Sequence, residues 1–140
     1  MKRQVTFCVL VGLALLLFTA CGSSGGTTGS NQVQVNETDF KIDASTTTFT
    51  PGMSYHFVVV NNGHTTHEFM IMPSSMSMGG MPMGNMDKIA LAKVENIAPG
   101  QSVTLDYTFS SSTAGSHPLL ACYYPGHYEA GMKLSVNVSK

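Results

Sequence analysis

Cys122-Tyr123-Tyr124-Pro125-Gly126-His127-Tyr128-Glu129-Ala130-Gly131-Met132 decides how this chain is read. A thiol, an imidazole and a thioether fall within one short stretch. Pro125-Gly126 bends the backbone between the first two, and Gly131 precedes the third. A thiolate and a thioether suit Cu(I), and imidazole suits either oxidation state of copper. Cys122, His127 and Met132 are therefore candidate copper ligands. Cys122 falls at the end of one strand, His127 across a tight loop and Met132 at the start of the next, so the three can face one point.

The thiol count sharpens this. The sequence holds three cysteines. Cys8 lies in an apolar N-terminal run from Val5 to Phe18, after the positive pair Lys2 and Arg3. That run has the length of a signal-peptide core and is short for a membrane span. Phe18-Thr19-Ala20-Cys21 resembles a bacterial lipobox, which makes Cys21 the lipidation site. Residues 1–20 are read as a lipoprotein-type signal peptide, and 21–31 as a flexible Gly/Ser/Thr tether. An export signal and a lipid anchor place the domain at the outer face of the cytoplasmic membrane. Cys122 is then the one free thiol of an exported domain, without a disulfide partner. Either it is buried and inert, as free Cys often is, or it is bound to something. The ligand residues beside it favour the second.

From residue 32 to 140 the pattern is that of one β domain. Val33 and Val35, Phe40 and Ile42, and Val103, Leu105, Tyr107 and Phe109 alternate with polar residues. Thr46 to Thr50 is β-branched and stops at Pro51-Gly52. Tyr55 to Val60 is closed by Asn61-Asn62-Gly63. His67 to Met72, Ile89 to Ile97, Leu119 to Cys122 and Leu134 to Val138 supply further strands. Helix propensity over Asp87 to Asn96 competes with the strand reading there. Short strands punctuated by Pro-Gly and Asn-Gly predict an all-β antiparallel sandwich or barrel. Pro73 to Met86 breaks the rhythm and reads as an extended loop carrying Met76, Met78, Met81, Met83 and Met86. Its sulfurs are suited to collecting Cu(I), which makes the loop a possible secondary site. The competing reading is an adaptable apolar filler.

A trigonal copper site needs a second imidazole. His67 is the leading candidate, since it opens a strand just after a turn. His64 is the alternative. His56 reads as an ordinary strand residue and His117 as a surface one. Zinc would accept Cys and two His, but thioether is a poor zinc ligand.

Cys-x4-His-x4-Met, together with Asn-x-Gly followed closely by His67-Glu68-Phe69, resembles the cupredoxins, the blue-copper family of plastocyanin, azurin and auracyanin. The resemblance spans residues 32–140. It implies a Greek-key β-sandwich and a copper ion on His67, Cys122, His127 and Met132. It also implies single-electron transfer, with the exposed edge of His127 as the electron port. Two positions depart from the family. Glu68 stands where many members have an Asn that ties the ligand loops together. Pro118, before the cysteine, predicts an edge position or a bulge.

These readings define a membrane-tethered, monomeric mononuclear copper electron carrier with redox-protein donor and acceptor. The alternative is a copper scavenging, storage or delivery protein using the methionine loop. Other classes are disfavoured. There is no His-x-His pair of the kind multicopper oxidases use, and no nucleophile elbow. The formal charge of -1 gives no basic footprint for nucleic acid.

Overall fold

The computed structural model describes residues 31–74 and 83–140, with the side chains of 83–85 excluded. The signal peptide, Cys21, the tether up to residue 30, and Met76, Met78 and Met81 lie outside the described residues, as does the side chain of Met83.

Ten strands are formed: β1 Gln32–Thr38, β2 Lys41–Ala44, β3 Thr48–Phe49, β4 Ser54–Asn61, β5 His67–Met72, β6 Ala92–Ile97, β7 Ser102–Thr108, β8 Leu119–Ala121, β9 Lys133–Ser135 and β10 Asn137–Val138. One helix, α1, spans Met83–Ile89, and a 3-10 turn spans Ser111–Thr113. The first sheet has the order β2-β1-β4-β7, with β1 and β4 parallel and the other pairs antiparallel. The second has the order β6-β5-β8-β9 and is antiparallel throughout. The all-β Greek-key sandwich expected from the sequence is the observed architecture.

Strand alternation explains how the sheets face each other. Val33 and Val35 of β1 and Phe57 and Val59 of β4 point inward from the first sheet, and Phe69, Ile71 and Leu120 from the second. Phe49 sits between them, with ring centroids 4.9 Å from Tyr55 and 4.7 Å from Phe109. Cys122 and Met132 belong to this same core, so the loop between them is packed against the sandwich interior.

β5 is buried along its whole length because the second sheet is covered on both faces. On its outer face Met70, Met72, Ala121 and Tyr123 pack with Met86 of α1. This corrects the expectation for Pro73 to Met86. The end of that stretch is helical from Met83, and Met86 is a buried apolar contact. Helix propensity prevails only up to Ile89, and β6 restores the strand pattern from Ala92.

Three further expectations shift. Leu134 to Val138 is split: β9 pairs with β8, whereas β10 pairs with β3. Pro118 lies just before β8, which is an interior strand, and β5 pairs with β8 in regular register. The missing N–H therefore falls outside the ladder, and neither an edge nor a bulge is needed. Phe40 does not alternate with Ile42. It occupies the β1–β2 turn with φ 67° and a half-exposed ring. Positive φ is an outlier for a bulky residue.

β1 carries one inward residue that alternation alone would make apolar. Glu37 follows Val33 and Val35 on the core side and is fully buried. Neither carboxyl oxygen has a hydrogen-bond partner among the described residues. Burial, reinforced by negative Glu68, pushes its pKa up to about 8.

Candidate metal centre

The centre forms where β5 begins and β8 ends. β5 and β6 slip register between His67 and Phe69. The extra residue lies in β6, where Asn96 takes a φ of 58°. β5 therefore keeps its alternation, and His67 and Phe69 share the face opposite Glu68. The approach to His67 is held by Asn61, which is buried at the end of β4. Its Nδ2 donates to the carbonyls of Thr65 and Ile97, both at 2.8 Å, and its Oδ1 accepts from Gly63 N–H at 2.8 Å. Read from sequence, Asn61-Asn62-Gly63 is only a turn. In the structure Asn61 is the scaffold of that turn.

The Cys122–Met132 loop is stitched by its own backbone. Cys122 N–H donates to Met132 O at 3.1 Å, Met132 N–H to His127 O at 3.0 Å, and His127 N–H to Tyr124 O at 2.9 Å. Gly126 and Gly131 take φ of 84° and 111°, which explains glycine at both positions. The loop thus carries its imidazole on a hydrogen-bonded frame between two packed strands.

His67 Nδ1 lies 3.2 Å from His127 Nδ1, and His127 Nδ1 lies 3.4 Å from Cys122 Sγ. The donor atoms of all three residues fall within 4.8 Å of one another. Two neutral imidazoles that turn Nδ1 toward each other need a shared cation or proton between them. Bonds of about 2.0–2.3 Å to a metal such as zinc give donor separations of this size. Two imidazoles and a thiolate also match the donor set of a type 1 copper site. The residues present therefore fit a copper ion. Met132 is fully buried in the core that holds Cys122, next in the stitched loop.

Local electrostatics prepare the ligands. Burial lowers the His67 pKa, and His127 adds to the effect, against a smaller opposing pull from Asp39. The ring is thus kept neutral with a free lone pair. Burial pushes the Cys122 thiol up to about 11, while the backbone N–H groups of Glu68 and Tyr124 pull the other way. The metal-free site therefore holds a thiol at neutral pH, and metal binding releases its proton.

Glu68 answers one departure noted in the sequence. Its Oε1 accepts the Tyr123 N–H at 2.8 Å in a buried setting. It joins the His67 strand to the Cys122 loop. His64, the alternative ligand, is turned away: its side chain is 93% exposed and its Nδ1 meets Asp39 Oδ2 at 2.8 Å. His56 is exposed in β4 and pairs with Asp106 at 2.6 Å. His117 is exposed, with its N–H bonded to Ser74 Oγ at 2.6 Å.

Gly63 is required by proximity. A Cβ there would lie 2.7 Å from His67 Nε2 and 2.6 Å from Asp39 Oδ1. Gly63→Ala is therefore expected to displace the His67 ring and lower copper affinity by about 10- to 100-fold. Competition titration against a chelator measures this. Unchanged affinity would contradict the close fit.

A second group, Glu68, Asp87 and Glu95, also brings carboxylates together. Lys93 Nζ already pairs with Asp87 at 3.0 Å and Glu95 at 3.1 Å, so the cluster has its own cation.

The same sandwich occurs in solved auracyanins and an azurin. A reduced auracyanin from the photosynthetic bacterium Roseiflexus castenholzii superposes with a TM-score of 0.63 at 20% identity, covering 79% of this chain and 98% of that one. Auracyanin A, a "blue" copper protein from the green thermophilic photosynthetic bacterium Chloroflexus aurantiacus, gives 0.60 at 17%, covering 77% and 98%. An azurin from the obligate methylotroph Methylomonas sp. strain J gives 0.57 at 15%, covering 80% and 100%. The chain therefore has the cupredoxin fold. A scan against protein-family models finds no match, nor does a search of curated proteins.

Proposed function

We propose that this protein is a mononuclear copper electron carrier, in which His67, Cys122, His127 and Met132 would hold the ion. The convergence of the His67 and His127 Nδ1 atoms and the Cys122 thiol at one buried point carries this reading. Copper, when bound there, supplies a one-electron Cu(II)/Cu(I) couple.

The chain's own contribution is to hold the donors still. The Cys122–Met132 backbone bonds and the Glu68–Tyr123 bond keep the ligand loops in place in either oxidation state. Burial of His67, Cys122 and Met132 excludes water. His127 is only partly buried, with the Phe40 ring edge-on at 5.6 Å, which makes this side the route for electrons. Donor and acceptor are redox proteins that dock there one at a time, and the carrier works as a monomer.

The N-terminal sequence supports export and anchoring through Cys21, at the outer face of the cytoplasmic membrane. The domain division at residues 20 and 31 belongs to this reading. No described helix is long and apolar enough to cross a membrane.

Copper storage or delivery through Met76, Met78, Met81, Met83 and Met86 is the less favoured function. Met86, the one of these whose side chain is described, is an apolar contact between α1 and the second sheet. Coulometric redox titration separates the two. The carrier takes up and returns one electron per chain with a single reversible midpoint. A chain that retains several Cu(I) ions and shows no reversible couple would overturn it.

A further inference from the structure

We propose that Asp39, in the β1–β2 turn, is the carboxylate that accepts the outer N–H of His67, positions that ligand and biases the centre toward Cu(II). The inference rests on the copper reading above. His67 Nδ1 faces His127 and Cys122. A metal on Nδ1 leaves the ring's one proton on Nε2, so Nε2–H must be a donor. That atom is buried and has no hydrogen-bond partner among the described residues. The acidic atom facing it is Asp39 Oδ1, at 3.7 Å.

The gap is a built one. Asp39 is aimed by three contacts with the loop that leads into His67. His64 N–H donates to Oδ1 at 3.0 Å, His64 Nδ1 meets Oδ2 at 2.8 Å, and Thr65 Oγ1 donates to Oδ1 at 3.2 Å. Gly63 sits over the space between Asp39 Oδ1 and His67 Nε2, where a side chain would wedge them apart. Charge-assisted N–H···O bonds are about 2.7–2.9 Å long, so a ring shift of roughly 1 Å closes the contact. Histidines that bind metals commonly donate their other N–H to a carboxylate or carbonyl, which fixes the tautomer and makes the ligand more basic. A carboxylate adds negative charge that favours Cu(II) over Cu(I). The same turn presents Phe40 to His127, so one short connection touches both imidazoles.

The test uses Asp39→Asn, which keeps size and an acceptor oxygen but removes the charge, and Asp39→Ala, which removes both. Two readouts are taken: the copper midpoint potential, and the ¹H–¹⁵N signal of His67 Nε2–H in the copper-free, zinc-loaded and Cu(I)-loaded chain. Asp39→Asn is expected to reduce the preference for Cu(II) about tenfold, which raises a one-electron potential by about 59 mV. The Nε2–H proton, far downfield in the wild-type chain, moves upfield in both variants. An unmoved potential with an unmoved Nε2–H signal would overturn the proposal, since a purely structural turn residue predicts that pattern. A wild-type chain that binds no copper would contradict the electron-carrier reading instead. The Nε2–H signal in the copper-free and zinc-loaded chain then still decides whether Asp39 is the acceptor.

Discussion

Cys122→Ser is expected to remove the intense visible absorption of the copper-loaded chain altogether, with a fall in copper affinity. The intensity of such a band comes from charge transfer between a thiolate and Cu(II). A serine hydroxyl at the same place is a hard, weakly acidic oxygen and cannot supply it. Cys122 is the only cysteine among the described residues, so no other described thiol can take its place. It is also fully buried in the sandwich core. The substitution therefore puts a hydroxyl where the thiol packs against the core, beside His127 Nδ1. Absorption spectra and metal counts on the same samples separate loss of the band from loss of the fold. A variant that folds and keeps the band would place the thiolate ligand elsewhere.

Glu37→Gln is expected to remove the larger part of a fall in stability between about pH 4.5 and 8. The folded-state pKa of Glu37 is raised from 4.5 to about 8 by burial and then by Glu68. Within that window the folded chain keeps a proton that the unfolded chain gives up. Stability therefore decreases as pH rises, by up to about 1.4 kcal/mol per unit, and levels off above 8. Summed over the window, the loss is of the order of a few kcal/mol, a large share of a typical domain's stability. Gln has nearly the same shape and no proton to lose. It should match the wild type at low pH and exceed it near pH 8. Glu68, raised mainly by burial, contributes a fall of the same sign that survives in the variant. His67, lowered mainly by burial, contributes a rise with pH up to about 6.5 that both proteins share. Asp39, lowered to about 2 chiefly by its hydrogen bond to His64, acts in the acid range with the opposite sign. Cys122 acts only at alkaline pH. Urea denaturation of the copper-free chain across pH 5–8 measures the difference. Parallel curves for the two proteins would show that Glu37 does not hold its proton in the folded state.

These two residues mark how far the sequence could be read. Cys122, His127 and Met132 are legible because one loop carries all three and its glycines fix the bend. His67 is legible because it opens an alternating strand after a turn. The geometry brings it to the other imidazole and leaves His64 in solvent. What escapes sequence reading is support from elsewhere in the chain. Glu37 sits in an alternation that otherwise demands an apolar residue, and only the packed sandwich shows that it faces the core. Asn61 reads only as part of a turn and Asp39 carries no local signal, because their partners His64, Thr65, Gly63 and Ile97 are known only once the strands are paired. Phe40 reads as a strand residue, since nothing local announces a positive φ that aims its ring at His127. The methionine run conceals a short helix because its Gly, Ser and Pro content suppresses helical periodicity. The second sheet's apolar outer face supplies the partner that Met86 needs.

Stoichiometric copper titration of residues 31–140, followed by visible absorption and metal analysis, tests the central claim most directly. One Cu(II) per chain, with an intense thiolate charge-transfer band that reduction bleaches and reoxidation restores, is the predicted result. Several Cu(I) bound without that band, or no copper bound at all, would contradict it.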